Sequence, residues 1–101
     1  MKNIPEKENN KKNNKKNEKY SREGINIFDE NEVNNCEDIG NIFRIDRKQR
    51  GMTQESIAGL TNIGKRFISE LENGKPTMQI DKVFKTLIKN GFKITISKRR
   101  W

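Results

Sequence analysis

The chain has 101 residues, of which 30% are hydrophobic and 36% are charged, and its formal net charge at pH 7 is +8. This length allows one small domain, and the composition is too polar for all of the residues to share one compact core. One cysteine and no histidine exclude an intrachain disulfide and a zinc site of the Cys/His kind. Residues 1–5 are followed by charged residues and not by an apolar run, so we expect no signal peptide, no transmembrane helix and a cytoplasmic protein.

The first third of the chain divides into a basic and an acidic segment. Residues 1–20 carry a net charge of +4, and residues 21–37 carry a net charge of −4. Neither segment has enough apolar residues to offset the entropy of ordering, which predicts that residues 1–35 are disordered. The basic segment is either a phosphate-attracting tail or inert. The acidic segment is a plain linker, an anchor for a partner, or a competitor of DNA for the basic remainder of the chain.

A first helix is predicted over residues 36–50. Asn35 can cap it, two acidic residues occupy its first turn, and Gly51 ends it. Its inward face is predicted to consist of Ile39, Ile42 and Phe43. Three cations lie in its last turn, where the helix dipole favours them: Arg47, Lys48 and Arg50.

Residues 53–75 contain two short helix patterns joined by a tight connection. Thr53 can cap the first helix, Asn62 tolerates the positive φ that the connection needs, and the second helix follows Gly64 and ends at Asn73 and Gly74. The apolar residues at helical spacing are Ile57, Ala58 and Leu60 in the first helix and Phe67, Ile68 and Leu71 in the second. Two helices with a turn of this length form a helix-turn-helix.

A fourth helix and a single strand are predicted after Pro76. Thr77 can cap the helix, which should extend to about Asn90. Its inward face is predicted to be Ile80, Val83, Phe84, Leu87 and Ile88. Residues 92–96 alternate like a strand that has no partner in the chain, so we expect it to pair antiparallel with a second copy across a twofold axis. The dimerisation residues would then be Phe92, Ile94 and Ile96.

Two blocks of the sequence, R-K-x-R-G-M-T-Q-E-S-I-A at residues 47–58 and I-G-K-R-F-I-S-E-L-E-N-G-K-P at residues 63–76, carry a resemblance to a known family. They resemble the Xre/phage-repressor-type helix-turn-helix and, more narrowly, the HipB-like antitoxin repressors, over about residues 37–96. The resemblance implies an all-α, lambda-repressor-like bundle of about four helices with one C-terminal β-strand that pairs across a dimer. It places the DNA-binding domain at residues 36–92 and the dimerisation strand and basic tail at residues 93–101.

The same resemblance implies a function and its partners. The chain would be a homodimeric repressor that binds double-stranded DNA with an inverted-repeat operator, and it would be associated with the nucleoid. It would repress its own promoter and bind a HipA-like kinase toxin as the antitoxin of a type II toxin–antitoxin operon. The alternative is a stand-alone Xre-type regulator with no toxin partner.

The second helix of such a motif enters the major groove with its N-terminal residues on base edges. Arg66 is therefore predicted to bond a guanine, and Lys65 a guanine or a phosphate. Ser69 would contact a base edge or a phosphate. Glu70 would either accept from cytosine N4 or hold Arg66, four residues back, in place. Phe67 is expected to pack in the core rather than to contact a thymine methyl.

Further contacts are predicted around this helix and at the end of the chain. The predicted phosphate-contacting residues are Thr53, Gln54, Gly64 and Lys75. Trp101 is a candidate toxin contact, with packing onto its own domain or the dimer seam as the alternative. The sequence lacks histidine, a phosphate-binding glycine-rich loop and paired carboxylates. We therefore predict no enzyme activity, no catalytic residue, no metal, no cofactor and no membrane partner.

Overall fold

The computed structural model of the protein describes residues 25–100, which form four helices. They are α1 (Cys36–Gln49), α2 (Gln54–Thr61), α3 (Lys65–Glu72) and α4 (Ile80–Lys89). This confirms the predicted all-α helix-turn-helix bundle. Two predictions, the disorder of residues 1–24 and a toxin contact at Trp101, lie outside the described residues. Within residues 25–100, no helix is long and apolar enough to cross a membrane.

Local hydrogen bonds at the helix ends explain where α1 and α2 begin. The Asn35 side chain accepts a hydrogen bond of 2.8 Å from the backbone N–H of Asp38. Thr53 and Ser56 form a reciprocal capping box, in which each side-chain oxygen accepts from the backbone N–H of the other residue. Asn62 ends α2 at φ 59°, the left-handed conformation predicted for the connection. Each of these ends was predicted from the sequence, and each is confirmed.

The core lies where α3 packs between α1 and α2 and against one side of α4. Its fully buried apolar side chains are Phe43 from α1, Ile57 from α2, and Ile68 and Leu71 from α3. Val83 and Leu87 of α4 close it. The two helices α1 and α3 lie very near each other at Gly40, because a Cβ atom placed there would collide with the carbonyl oxygen of Leu71. Glycine therefore allows α1 to lie directly on the last turn of α3.

The prediction that Thr77 caps the fourth helix is wrong. Pro76 and Thr77 form a turn, Met78 packs partly against the core, and Gln79 is the residue that precedes α4. The backbone N–H groups of Lys82 and Val83 donate to the carbonyl of Gln79. The helix therefore begins at Ile80, three residues after Thr77.

The predicted inward faces of α2 and α4 are also wider than the faces that the bundle covers. Val83 and Leu87 are buried, but three other residues of the predicted α4 face are largely exposed: Ile80 at 56%, Phe84 at 40% and Ile88 at 61%. Leu60 of α2 is 69% exposed. A bundle of four short helices has too few neighbouring elements to cover these side chains. An apolar stripe, which consists of Ile80, Phe84 and Ile88, consequently remains on the outside of α4.

The chain after α4 contains no strand among residues 92–100. Phe92, a predicted dimerisation residue, is half-buried against its own core, with its ring centroid 6.3 Å from that of Phe43. Its backbone N–H donates to the Leu87 carbonyl over 3.0 Å. The other two predicted dimerisation residues, Ile94 and Ile96, are exposed at 40% and 94%. A strand needs a neighbouring strand for its backbone hydrogen bonds, and a single chain offers none here.

Residues 25–35 precede the bundle and contain a turn. The Asn26 side chain accepts a 2.9 Å hydrogen bond from the backbone N–H of Phe28, and Asn31 donates back to the Asn26 carbonyl. Glu32 pairs with Arg99 of the C-terminal segment at 3.0 Å. The acidic segment thus contacts the basic tail, and the predicted domain boundaries at residues 36 and 93 stay predictions.

Candidate nucleic-acid interface

Helix α3 has one buried face and one exposed, positively charged face. Phe67, Ile68 and Leu71 are buried, whereas Lys65 and Arg66 are exposed. Phe67 is 9% exposed and belongs to the core cluster, and the ammonium of the exposed Lys82 lies 4.9 Å from the centre of its ring. Phe67 is therefore a core residue. Glu72 is buried as well, and the burial of these four of the eight residues fixes the direction in which the cations project.

Gly64 is the residue from which α3 starts. It is exposed, and no side chain caps the helix there. The N–H groups in the first turn of a helix have no intrahelical acceptor, and the helix dipole makes this end positive. This end of α3 therefore offers backbone donors to an anionic oxygen, in keeping with the predicted phosphate contact at Gly64.

Three charged residues on α3 and the following turn form a connected group. The Glu70 Oε2 atom lies 3.1 Å from Lys75 Nζ and 3.4 Å from Arg66 Nε. The hydrogen bond and charge of Lys75, followed by those of Arg66, hold the pKa of Glu70 below its usual value. Gly74, at φ 71°, turns the chain so that the Lys75 N–H donates to the Glu70 carbonyl over 3.1 Å. Of the two predicted roles of Glu70, this geometry matches the holding of Arg66.

Ser69 lies one turn after Arg66 and is half-buried. Lys65, Arg66, Ser69 and Glu70 all belong to the eight residues of α3, and the second two lie one helical turn after the first two. The structure thus brings the four predicted base-reading residues onto one short helix. Which base each one contacts stays a prediction.

The first residues of α2 make internal hydrogen bonds. Thr53 uses its hydroxyl in the capping box with Ser56. Gln54 donates from Nε2 to Glu72 Oε1 over 3.1 Å. Glu72 is itself paired with Arg47, whose Nε and Nη2 atoms lie 2.6 Å and 2.9 Å from its two carboxylate oxygens. These contacts hold Gln54 beside the end of α3, and its predicted phosphate contact stays untested.

Sequence reasoning missed the role of Arg47 and Glu72 in shaping this surface. Arg47 was predicted to act on the helix dipole, but its side chain is 11% exposed and that of Glu72 only 3%. The Arg47 Nη1 atom also donates to the Met52 carbonyl over 2.8 Å, which joins the end of α1 to the start of α2. The two residues are 25 positions apart in the chain. No local pattern could have indicated their pairing.

Sequence reasoning also missed two lysines of α4 near the start of α3. A cavity of about 330 Å³ opens between the connection of the motif and the first turns of α4. Its lining residues are Asn62, Ile63, Gly64, Gln79, Asp81, Lys82 and Lys85. Lys82 and Lys85 therefore add positive charge beside Gly64, where a phosphate contact is predicted.

Comparisons with known proteins agree with this geometry. A family model described as helix-turn-helix matches residues 43–85. An uncharacterized HTH-type transcriptional regulator, y4mF of Sinorhizobium fredii, is 48% identical over 59 residues, which cover 58% of this chain and 78% of that protein. A solved structure described as a HipB–O1–O2 complex contains a chain with a TM-score of 0.60 and 24% identity. That likeness covers 67% of the present chain and 99% of the HipB chain.

The structural likeness shows a shared fold, and the sequence match over most of the Sinorhizobium protein shows a shared family. In helix-turn-helix proteins the second helix of the motif enters the major groove, and α3, the second helix here, has an exposed cationic face backed by a buried apolar face. The chain therefore belongs to the Xre-type helix-turn-helix family and is a DNA-binding transcriptional regulator.

Proposed function

We propose that this regulator is a dimeric repressor that binds an inverted-repeat operator in double-stranded DNA through α3. The observation that carries the proposal is the exposure of Lys65 and Arg66 on a helix whose opposite face is buried. Arg66, with its side chain 91% exposed, has the reach and the paired donors that a guanine edge requires. Occupying a promoter in this way blocks transcription without any catalytic step.

The proposed dimer is supported by apolar surface that one chain leaves uncovered. The apolar stripe of α4 lies outside the core, and Ile94 and Ile96 follow it in the chain with their side chains exposed. Burying these side chains against a second copy removes apolar area from water, and residues 92–96 would gain the strand partner that they lack. A twofold dimer places its two α3 helices about 34 Å apart, one turn of DNA, which is the spacing of an inverted repeat.

The antitoxin function is the more specific part of the proposal. It is supported by the HipB fold and by the resemblance of residues 37–96 to HipB-like repressors. In this function the dimer would repress its own promoter and hold a HipA-like kinase toxin, with Trp101 as a candidate contact. A stand-alone Xre-type regulator without a toxin is the second candidate, favoured by the kinship with an HTH-type transcriptional regulator.

Two experiments test these proposals separately. Selection of bound duplexes from a random-sequence library should enrich an inverted repeat, and sedimentation of the complex should give two chains per duplex. An enriched site with no repeat, or a single bound chain, would contradict the dimeric repressor. Pull-down of the tagged protein from its native cell after DNA digestion should recover a kinase in fixed stoichiometry if the protein is an antitoxin. Recovery of the protein alone, as a dimer, would favour the stand-alone regulator.

A further inference from the structure

Glu70 is an acidic residue on the surface that is expected to face the DNA. Its side chain is 27% exposed, and a single oxygen, Oε2, lies within ion-pair distance of both Arg66 and Lys75. A carboxylate on such a surface repels phosphate and lowers the attraction of α3 for any duplex. Glu70 nevertheless pairs with Arg66 and Lys75, which are both predicted to contact DNA, and each of these two pairs affects binding in its own way.

The ion pair between Glu70 and Arg66 leaves the tip of the arginine side chain accessible. Glu70 contacts Arg66 through Nε, the nitrogen within the side chain, and this contact does not use the two terminal nitrogens. Bidentate recognition of guanine O6 and N7 uses a pair of such donors. Because Arg66 is otherwise surrounded by solvent, the Glu70 carboxylate restricts its rotamers while leaving its terminal nitrogens available for a base edge.

The ion pair between Glu70 and Lys75 reduces the attraction of Lys75 for phosphate. Lys75 is predicted to contact phosphate, and in the DNA-free protein its ammonium is 3.1 Å from Glu70. A phosphate must compete with this carboxylate for the ammonium, so the contact contributes less to binding of an arbitrary duplex. The lowered pKa of Glu70 means that the carboxylate stays charged, and the competition persists, to a lower pH than for an ordinary glutamate.

We propose that Glu70 is a positioning residue that determines specificity: it orients Arg66 for a base edge and acts as the counter-ion that suppresses phosphate binding by Lys75. The inference rests on the proposed function, in which α3 reads DNA. Both effects act in the same direction, because the first favours the correct sequence and the second weakens binding to all others. Glu70 thereby raises the ratio of specific to non-specific affinity without contacting a base.

The test is the substitution Glu70→Gln, which removes the charge and keeps the size of the side chain. Binding is measured by fluorescence anisotropy over a range of salt concentrations. One probe is the duplex that the wild-type protein enriches from a random library, and the other is a scrambled duplex of the same length and composition. Without the Glu70 charge, Lys75 is free to bind one additional phosphate. The slope of log affinity against log salt concentration should therefore steepen by about 0.9 on the scrambled duplex, and the affinity for that duplex should rise about 3-fold. The ratio of specific to scrambled affinity should fall about 5-fold or more, because Arg66 is no longer held.

Two further variants make the test specific to this group of residues. Glu30→Gln removes the same charge from the exposed segment before α1 and should leave both the slope and the ratio unchanged. Adding Lys75→Met to Glu70→Gln should restore the wild-type salt slope on the scrambled duplex, since the released ammonium is then absent. Circular dichroism should be the same for all variants, because none of the substituted side chains is in the core.

Two results would overturn the inference. One is that Glu70→Gln and Glu30→Gln change the two affinities by the same factors. The other is that Glu70→Gln raises both affinities equally, so that the ratio is unchanged and Glu70 acts only as a general negative charge. Failure of the wild-type protein to enrich any sequence is a different outcome, because it would refute the proposed function itself.

Discussion

Arg47 of α1 and Glu72, the last residue of α3, form a buried ion pair in which Arg47 Nε lies 2.6 Å from Glu72 Oε2 and Nη2 lies 2.9 Å from Oε1. The pair connects the two helices at the point where α3 ends and the turn to Lys75 begins. Arg47 also donates to the Met52 carbonyl, and Glu72 accepts from Gln54. Since these hydrogen bonds satisfy both charged groups, the pair fixes α1, the start of α2 and the end of α3 relative to one another.

Removing one member of this pair should destabilise the protein strongly. Arg47→Met keeps much of the side-chain volume but leaves the Glu72 carboxylate charged and buried without its cation. We expect a loss of about 3–5 kcal/mol in the free energy of unfolding. Urea denaturation followed by circular dichroism at neutral pH measures it. Arg44→Met, on the exposed side of the same helix, is the matched control and should change the free energy by less than about 0.5 kcal/mol. Equal losses for the two variants would show that the pair contributes nothing beyond an ordinary surface arginine.

Gly40 should be intolerant of even the smallest side chain. A Cβ atom at this position would collide with the Leu71 carbonyl and lie 3.0 Å from that of Glu72, and backbone atoms cannot move without shifting α3. We expect Gly40→Ala to lower the free energy of unfolding by about 3 kcal/mol or more. Gly59→Ala in α2 is the control, because no atom lies within 4 Å of its Cβ position and alanine favours a helix. That variant should gain up to about 1 kcal/mol. Unfolding by urea compares the two, and a neutral Gly40→Ala would contradict the close packing of α1 on α3.

Local signals in the sequence predicted where α1 and α2 begin and where α2 ends, but not where α4 begins, and contacts between distant residues could not be predicted. The starts of α1 and α2 could be predicted because the side chains of Asn35 and Thr53 accept hydrogen bonds from backbone N–H groups only three residues away. The end of α2 could be predicted because it depends on the backbone conformation of Asn62 alone. The buried face of α3 could be predicted from its periodicity. The Arg47–Glu72 pair could not, because its partners are 25 residues apart.

The difference between local signals and distant contacts also explains why the predicted inward face of α4 was too wide. Periodicity indicates which side of a helix is apolar, but it does not show whether enough neighbouring helices are present to cover that side. Val83 and Leu87 find neighbours, whereas Ile80, Phe84 and Ile88 do not. The strand expected at residues 92–96 likewise depends on a second chain. The base contacts predicted for α3 would also involve DNA, so the fold of the protein alone does not determine them.

Asp46 should make stability depend on pH. It is 8% exposed, and its Oδ2 atom, 3.2 Å from Arg50 Nε, accepts no hydrogen bond from the residues that the structure describes. Burial raises the pKa of Asp46 above its usual value of 3.8, against the opposing effect of Arg50. A pKa that is higher in the folded than in the unfolded state favours folding when the group is protonated. The stabilising contribution is therefore present below pH 3.8 and is lost as the pH rises through the raised pKa.

Asp46→Asn removes this titration. The free energy of unfolding of the variant, relative to that of the wild type, should increase as the pH rises from about 3.5 to about 6. Arg50 keeps its 2.8 Å hydrogen bond to the Asn90 side chain, so the substitution leaves it a partner. Urea titrations across this pH range measure the difference. Asp29→Asn, on an exposed carboxylate before α1, is the control for loss of a negative charge. A difference that is constant with pH, or that decreases as the pH rises, would contradict a raised pKa of Asp46 in the folded protein.

The apolar stripe of α4 should be required for dimerisation. Phe84 lies at its centre, between Ile80 and Ile88, and is 40% exposed in the single chain. Phe84→Asp would place a charge in a buried interface, so the expected product is a folded monomer with half the sedimentation mass of the dimer. Lys85→Asp, on the next residue of the same helix, changes the charge by more but lies outside the stripe and should leave a dimer. If Phe84→Asp stays dimeric while Ile94→Asp is monomeric, the strand alone forms the interface.

Arg66→Ala should weaken binding to the selected operator by about 1–3 kcal/mol, because a bidentate contact with guanine is lost. It should also relax the preference at a single base pair in each half-site, which repeating the library selection with the variant would reveal. On a scrambled duplex the loss should be smaller, since only the charge of one exposed side chain is removed. Arg44→Ala, a cation of the same type on the exposed side of α1, controls for that charge. Equal losses on operator and scrambled duplex would show that Arg66 contacts phosphate and reads no base. In that case the orienting role of Glu70 would have no base contact to serve, and its effect on Lys75 alone would remain.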